Sequence, residues 1–270
     1  MSSPARTQSE NAKLAIHRDS DADLTTYKDI DFGAATLYAA FLINTTNVLT
    51  YASFWDSIAG TVAGGGEVMR LMCPANGGAG IALGLYTFAE GMRFDEGITA
   101  LGHTALDGTG DPGASAFIIG LVTSAGLVYP NLTEEDPAAS ALTGGTYPSS
   151  YKTALGTQLY EDPSSIDTSR QAGSGAQTFY GAYVDNSLNT GAHAYLKLYD
   201  AAAPTIGSDE PSIIFRAYKG RKCRFSANSV SAAGVLSGIS FATALSRVTT
   251  GSGGVGGSSL ASTVPIKLLA

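Results

Sequence analysis

The sequence has few charged residues, few histidines and few cysteines. Charged residues make up only 14% of the 270 residues, whereas long surface helices carry many charges on their wet face, so such helices are disfavoured. Cys73 and Cys223 could form at most one bridge, which excludes a disulfide framework, and we expect both to be reduced packing residues.

The chain also lacks a long apolar run and a basic surface. No stretch approaches the roughly 20 apolar residues that cross a bilayer, and the opening residues 1–6 are polar, so we expect no ordinary secretion signal. The formal net charge of −7 argues against binding to nucleic acid or to an anionic membrane, because both bind mainly through clustered Lys and Arg. We therefore expect synthesis in a cytoplasm.

Glycine and small residues are abundant instead. The chain contains 33 glycines and is 44% hydrophobic, which is typical of many short strands joined by glycine turns around a sizeable core. The composition thus predicts an all-β protein.

An internal repeat organises the chain. Residues 36–47 resemble residues 178–189, and each matched position is 142 residues apart (178 − 36 = 142). The similarity continues through Asp56 and Asp200 to Gly97-Ile98 and Gly238-Ile239. A fixed offset of this kind indicates two copies of one structural unit.

The repeat predicts two tandem β-sandwich domains related by internal duplication, 36–122 and 178–270, whose topology is either jelly-roll or Ig-like. Residues 1–35 form an N-terminal arm that is either disordered or ordered by a partner, and residues 123–177 form an extended connector across the chain's own domains or a neighbour.

The local patterns indicate strands and turns. In residues 194–199, Ala, Leu and Leu alternate with Tyr, Lys and Tyr, which is typical of a half-buried strand. Asp56 and Asp200 have turn chemistry after them, and the pairs Asn44/Asn47 and Asn186/Asn189 are expected to bond their own backbone in turns.

The motifs that resemble catalytic or binding signatures are weak. Residues 251–256 fit G-x-G-x-x-G but precede a strand, residues 149–152 fit S-x-x-K without companion motifs, and residues 107–111 lack the ligand set of a calcium loop. His17, His103 and His193 show no metal-ligand spacing. We expect no catalytic residue, no cofactor and no metal, and hence no enzyme.

Two groups of residues are candidates for partner contact. A basic cluster is notable in an acidic chain and could dock an acidic neighbour, while tyrosines are enriched at interfaces. The candidate residues are Arg216, Lys219, Arg221, Lys222 and Arg224, with Tyr129, Tyr147, Tyr151 and Tyr160.

The aromatic strands leading to paired Asn, the strands ending in Asp, the late Gly-Ile and the Thr249-Thr250-Gly251 turn resemble structural proteins of tailed, cyanophage-like bacteriophages. This resemblance covers both repeats. It implies a capsid decoration or cement protein on the outer capsid surface of the virion, bound to the major capsid protein and to itself as a homo-oligomer, with a trimer favoured by local three-fold positions.

Two other functions remain open. The chain could be a tail, neck or fibre component that binds host glycans, with Trp55 and exposed tyrosines as platforms. A hydrolase would need converging carboxylates or a nucleophile with its base, and no residues in the sequence are candidates for these roles.

Overall fold

The computed structural model describes residues 13–18, 28–31, 33–57, 66–78, 80–113, 116–123, 159–165, 169–172, 175–230 and 236–270. Within these ranges the protein is all-β and contains no helix, as the composition predicts. The strands are β1 (Lys13–Arg18), β2 (Lys28–Asp31), β3 (Ala35–Asn44), β4 (Thr50–Asp56), β5 (Glu67–Cys73), β6 (Ala82–Phe94), β7 (Ile98–His103), β8 (Phe117–Thr123), β9 (Leu159–Ser165), β10 (Arg170–Gln171), β11 (Gln177–Phe179), β12 (Gly181–Asp185), β13 (Ala194–Asp200), β14 (Ile213–Ala217), β15 (Lys222–Val230), β16 (Leu236–Ser237), β17 (Ile239–Phe241), β18 (Leu245–Thr250) and β19 (Val264–Leu269).

The strands form two large antiparallel sheets. The nine-stranded sheet has the order β1-β8-β3-β6-β15-β12-β19-β9, with β16 paired to β15. The eight-stranded sheet has the order β10-β18-β13-β14-β5-β4-β7-β2, and β11 and β17 form a separate pair. Each large sheet therefore contains strands from both halves of the chain.

The sheets continue from one half of the chain into the other. In the nine-stranded sheet β6 pairs with β15 along six residues, from Phe88 opposite Phe225 to Leu83 opposite Val230. In the eight-stranded sheet β5 meets β14 where Arg70 lies opposite Ile214. Counted outward from the β6–β15 and β5–β14 pairs, corresponding strands occur in the same spatial order in both halves.

The structure places strands in both the predicted arm and the predicted connector. Strands β1 and β2 lie in the predicted arm and pair with β8 and β7, so the arm is not free over these ranges. Strands β9 and β10 lie in the predicted connector and pair with β19 and β18. These segments have a polar composition that does not predict strands. They are edge strands, which are ordered by backbone pairing with the sheet.

The two sheets pack against one another as a β-sandwich. The Tyr86 hydroxyl of β6 donates to the Met72 carbonyl of β5 at 2.5 Å, and Phe215 of β14 stacks on Phe225 of β15 with ring centroids 4.6 Å apart. One buried apolar cluster includes residues of both halves. Cys73 and Cys223 are buried and unpaired, as expected, and burial raises the pKa of each thiol to about 12.

Strand β13 of the eight-stranded sheet is buried on both faces, which corrects the prediction of a half-buried strand. Leu196 and Leu198 face the core, yet Lys197 on the opposite face is also fully buried. Its ammonium group donates to the backbone carbonyl of Gly256, so the segment that follows β18 covers this face. A single strand's alternation could not reveal a covering segment from another part of the chain.

The predicted asparagine turns are present. Asn44 donates to the carbonyls of Val48 at 2.7 Å and Pro74 at 2.8 Å, and both Asn44 and Asn186 are fully buried. Asn189 is also buried, whereas Asn47 is exposed. Asn44 accepts the Thr46 N–H at 2.8 Å, which is the predicted turn geometry, while its bond to Pro74 joins a second loop.

Candidate functional site: charged contacts between the two halves

Arg216, the first residue of the predicted basic cluster, lies in the interior. It is 4% exposed, and its guanidinium donates to the Asp56 carboxylate at 2.8 Å and to the carbonyl of Arg93. The guanidinium also lies 5.3 Å from the centroid of the Phe94 ring. All three contacts reach residues of the first half, so Arg216 links the halves.

Arg224 makes a second link between the halves. Its side chain donates to the Glu90 carboxylate of β6 at 2.5 Å, and its backbone N–H donates to the same carboxylate at 2.8 Å. Lys222 lies 3.9 Å from Asp185 within the second half. The charges of Arg224 and Lys222 are thus paired with carboxylates of the same chain. The sequence had suggested an acidic neighbouring protein as the partner of these residues.

The other predicted contact residues have different surroundings. Lys219 and Arg221 are exposed, and Lys219 lies 5.9 Å from the Tyr218 ring. Tyr160 is half-buried and packs against the core. The remaining candidates, Tyr129, Tyr147 and Tyr151, lie outside the described residues. A role in partner contact remains a prediction for this set.

Arg70 is the centre of an ionic cluster that sequence reasoning missed. Its guanidinium binds both oxygens of Glu67, at 2.8 and 2.7 Å, and one oxygen of Glu210 at 2.9 Å. It also donates to the Pro211 carbonyl at 2.9 Å. Glu67 belongs to the first half and Glu210 to the second, so this arginine is a third link between them.

A β-bulge explains why the sequence concealed this cluster. Side chains three residues apart on a regular strand point to opposite faces, so Glu67 and Arg70 would not meet. The register of β4 and β5 shifts between Phe54 opposite Met69 and Trp55 opposite Glu67. An extra residue in one strand re-aims the following side chains, which places both charges on one face.

The cluster balances its charges within the protein. Lys197 completes a set of two cations and two carboxylates; burial lowers its pKa to about 8, while Glu67 and Glu210 oppose this shift. Burial raises the pKa of Glu67, and the charge of Arg70 opposes this shift. Such a set can hold segments together, because removing one member leaves an uncompensated buried charge.

A serine and a histidine lie beside this cluster. Ser53 Oγ is 2.8 Å from His103 Nε2, and His103 Nδ1 is 2.6 Å from the Ala105 carbonyl. The carbonyl accepts a hydrogen bond from Nδ1–H, which leaves Nε2 to accept one from the Ser53 hydroxyl. Burial lowers the pKa of His103 to about 4, and both side chains are sealed from solvent. The pair therefore connects β4 to β7.

The weak motifs form turns and packing loops. Residues 251–256 are followed by extended chain and not by a helix, and Gly254 N–H donates to the Glu67 carbonyl at 3.1 Å. The Asp107 carboxylate accepts the Thr109 N–H at 2.9 Å, which is turn geometry. Residues 149–152 lie outside the described ranges. The described residues contain no group of three His, Cys, Asp or Glu arranged for a metal ion.

None of the described segments is a helix long and apolar enough to cross a membrane. No known protein family matches the sequence, and no curated protein matches it.

Solved structures give only weak likenesses. The exported protein XepA of PBSX is 9% identical, with 100% of this chain and 90% of that chain covered and a TM-score of 0.23. An oxalate decarboxylase is 7% identical over 90% of this chain and 66% of that one, with a TM-score of 0.18. The oxalate decarboxylase of Lactobacillus farciminis is 8% identical, covers 90% and 75%, and has a TM-score of 0.16. TM-scores this low do not indicate a shared fold or function.

Proposed function

We propose that the protein is a structural component of a tailed-phage virion that binds the outer capsid surface as a decoration protein, and that it arose by duplication of one jelly-roll unit. The observation that carries the proposal is the shared strand order. The first half contributes β1-β8-β3-β6 to one sheet and β2-β7-β4-β5 to the other, and the second half contributes β9-β19-β12-β15 and β10-β18-β13-β14. Two four-stranded sheets in this arrangement match an eight-stranded jelly roll.

The junction between the halves supports a mechanical role. The sheets are continuous through the β6–β15 and β5–β14 pairs, and three arginines, Arg70, Arg216 and Arg224, cross-link the halves. A body joined in this way resists bending between its halves. A stiff body that touches several capsid subunits gains from multivalency, because contacts after the first form at high effective concentration.

The proposed partners are the major capsid protein and further copies of this chain, with a trimer favoured at local three-fold positions. Lys219, Arg221 and Arg224 are the exposed members of the basic cluster; Arg224 pairs with Glu90, and Lys219 and Arg221 are proposed to contact an acidic patch of the capsid subunit. No catalytic role is assigned to the chain in this proposal.

Binding to capsids tests the proposal. Purified protein mixed with expanded capsids that lack it should bind at a fixed ratio to capsid subunits and saturate, as measured by co-sedimentation. The double variant Lys219→Glu/Arg221→Glu should bind at least tenfold more weakly, because two rim cations become anions. Lys222→Gln is the matched control, since Lys222 already lies near Asp185, and it should bind like the wild type.

No binding at micromolar concentration would reject the capsid role, and stoichiometric binding to purified tails would assign the protein to the tail.

A further inference from the structure

Two arginines of the second half face one another across neighbouring strands. Arg170 of β10 lies directly opposite Arg247 of β18. Like charges in this position repel, so the arrangement needs a compensating anion. Asp162 of β9, in the other sheet, approaches both side chains from across the sandwich.

Asp162 compensates the two cations only in part. Its carboxylate accepts a hydrogen bond from Arg170 at 3.1 Å, but Nη2 of Arg247 is 3.8 Å away, which is too long for a hydrogen bond. Among the described residues, these ion pairs set two guanidinium charges against one carboxylate. Burial lowers the pKa of Arg247, the charge of Asp162 opposes this shift, and Arg170 adds to it.

Arg247 carries unused donors in a buried place. The residue is 5% exposed, and its Nε and Nη1 atoms have no hydrogen-bond acceptor among the described residues. An unpaired buried donor loses its hydrogen bonds to water without a replacement, and protein interiors normally avoid this. The Arg170 side chain is 50% exposed, so the pair is connected to solvent on one side.

The sandwich itself does not need an arginine at this position. Arg247 lies opposite Leu198 in β13, and the matching residue of the first half, opposite Phe54 in β4, is Ala100. Ala100 is buried without any charge. The second half therefore holds a cation where the same strand order accepts a small apolar residue.

We propose that Arg247 and Arg170 bind a tetrahedral oxyanion of the phosphate class. The unused donors of Arg247 lie on different nitrogens, and a tetrahedral anion presents oxygens in several directions to two guanidinium groups. Ordered water could accept the same hydrogen bonds but would leave the excess positive charge uncompensated. An oxyanion supplies both the acceptors and the charge.

Inorganic phosphate at pH 7 is the probe, with sodium chloride adjusted to hold ionic strength constant. A ligand that binds the folded protein raises its melting temperature in a saturable way. We expect such a saturable rise for the wild type and a binding isotherm with one site by calorimetry. Absence of a saturable response would overturn the proposal.

Variants locate the site. Arg170→Gln removes the half-exposed cation and should weaken phosphate binding at least tenfold. Lys267→Gln is the matched control, because Lys267 lies on the neighbouring strand β19 and pairs with Glu161, and its affinity should stay within twofold of the wild type. Equal affinities in the wild type and Arg170→Gln would overturn the proposal, since phosphate would then act as a general stabilising salt.

Arg247→Met removes the buried cation and should abolish the response. If this variant fails to fold, the comparison of Arg170→Gln with Lys267→Gln decides the question alone. Acetate, a planar anion, should bind more weakly than phosphate, and an equal affinity would overturn the assignment to a tetrahedral class.

Discussion

The first half of the chain closes its β3–β4 turn with Asn44, and the second half closes the corresponding β12–β13 turn with Asn186. Asn44 donates to the carbonyl of Pro74, and Asn186 donates to that of Tyr218 at 3.2 Å. Both carbonyls directly follow the next strand of the same half, β5 or β14. The same tie between two loops is therefore present twice.

The aspartates at the ends of β4 and β13 show the same correspondence. Asp56 accepts the N–H groups of Asp95 and Glu96, at 2.7 and 2.9 Å. Asp200 accepts the N–H groups of residues 242, 243 and 244, at 3.0, 2.6 and 3.3 Å. In each half the carboxylate holds the turn before β7 or β18. Each half thus has its own aspartate that bonds backbone N–H groups in the equivalent turn.

The charged contacts between the halves are not symmetric, because equivalent positions of the two halves carry different residues. Arg70 lies opposite Ile214, and the arginines 216 and 224 of the second half pair with Asp56 and Glu90 of the first. Identical charged residues facing one another across this junction would repel. The junction therefore needs complementary residues, and the halves differ in sequence where they meet.

Breaking the central link should have the largest effect. Arg70→Met leaves Glu67 buried without its cation, which should lower the free energy of unfolding by about 3–5 kcal/mol. Urea denaturation measures the loss. The double variant Arg70→Met/Glu67→Gln should lose less than Arg70→Met alone, because no uncompensated glutamate remains. A single-variant loss below about 1 kcal/mol would show that the link is dispensable.

His103 offers a test by pH, since the second half has Thr250 at the matching position opposite Tyr195. The folded pKa of His103 is about 4 and the ordinary value is 6.5. A lowered folded pKa gives stability that is complete above pH 6.5 and is lost as the pH falls toward 4. The loss should reach about 3 kcal/mol.

The His103→Thr variant installs the residue of the second half and should flatten the decline in unfolding free energy between pH 6.5 and 4. Chemical denaturation at several pH values measures both slopes. His193, whose pKa burial also lowers to about 4, remains in the variant and keeps part of the slope. Identical slopes would contradict the assignment to His103.

The two aspartates should differ although they hold equivalent turns. Asp56→Ala removes the acceptor of two backbone N–H groups and also leaves the buried Arg216 without its carboxylate, so it should cost about 2 kcal/mol more than Asp200→Ala. Burial raises the pKa of Asp56, but the N–H groups of Glu96 and Asp95 and the charge of Arg216 outweigh it and lower the pKa.

Because its folded pKa is lowered, the contribution of Asp56 is present above the unfolded pKa and is lost as the pH falls through the folded pKa. The extra cost of Asp56→Ala should therefore shrink in acid. Denaturation midpoints of both variants at neutral and acid pH measure this difference, and equal costs at neutral pH would mean that Arg216 needs no partner.

The sequence predicted the all-β class and the turn residues, because these depend on local chemistry. The alignment of the two halves by sequence does not match the strand pairing late in the repeat. Gly97-Ile98 had been aligned with Gly238-Ile239, but Ile98 lies opposite Asp56 and Leu245 lies opposite Asp200, so Leu245 occupies the position in the sheet that corresponds to Ile98. Additional residues before β18 cause the shift.

The candidate site was less predictable, because its contacts join distant residues. The Arg224–Glu90 pair depends on the register between β6 and β15, and the Glu67–Arg70 pair depends on a bulge. Neither feature leaves a periodic pattern in one strand. Partner contact by the basic cluster therefore stays a prediction, while the contacts of Arg216 and Arg224 inside the chain followed only from the assembled sheets.

The smallest expected effect concerns the loops that follow β7 and β18. The first closes on itself, where Thr104 N–H donates to the Gly110 carbonyl, whereas the second crosses to the first half, where Gly253 lies against Glu67. A Cβ at Gly253 would lie 1.8 Å from the Glu67 carbonyl oxygen, so Gly253→Ala must displace the loop and should cost about 1–3 kcal/mol.

Gly191→Ala is the matched control, because a Cβ there meets nothing within 4 Å, and its cost should stay within about 0.5 kcal/mol. Thermal unfolding of both variants measures the difference. Since Gly254 N–H donates to the same Glu67 carbonyl, displacement of the loop should also increase hydrogen exchange at Gly254. An unchanged melting temperature for Gly253→Ala would show that the loop does not hold the halves together, and the junction would then depend on the sheets and arginines alone.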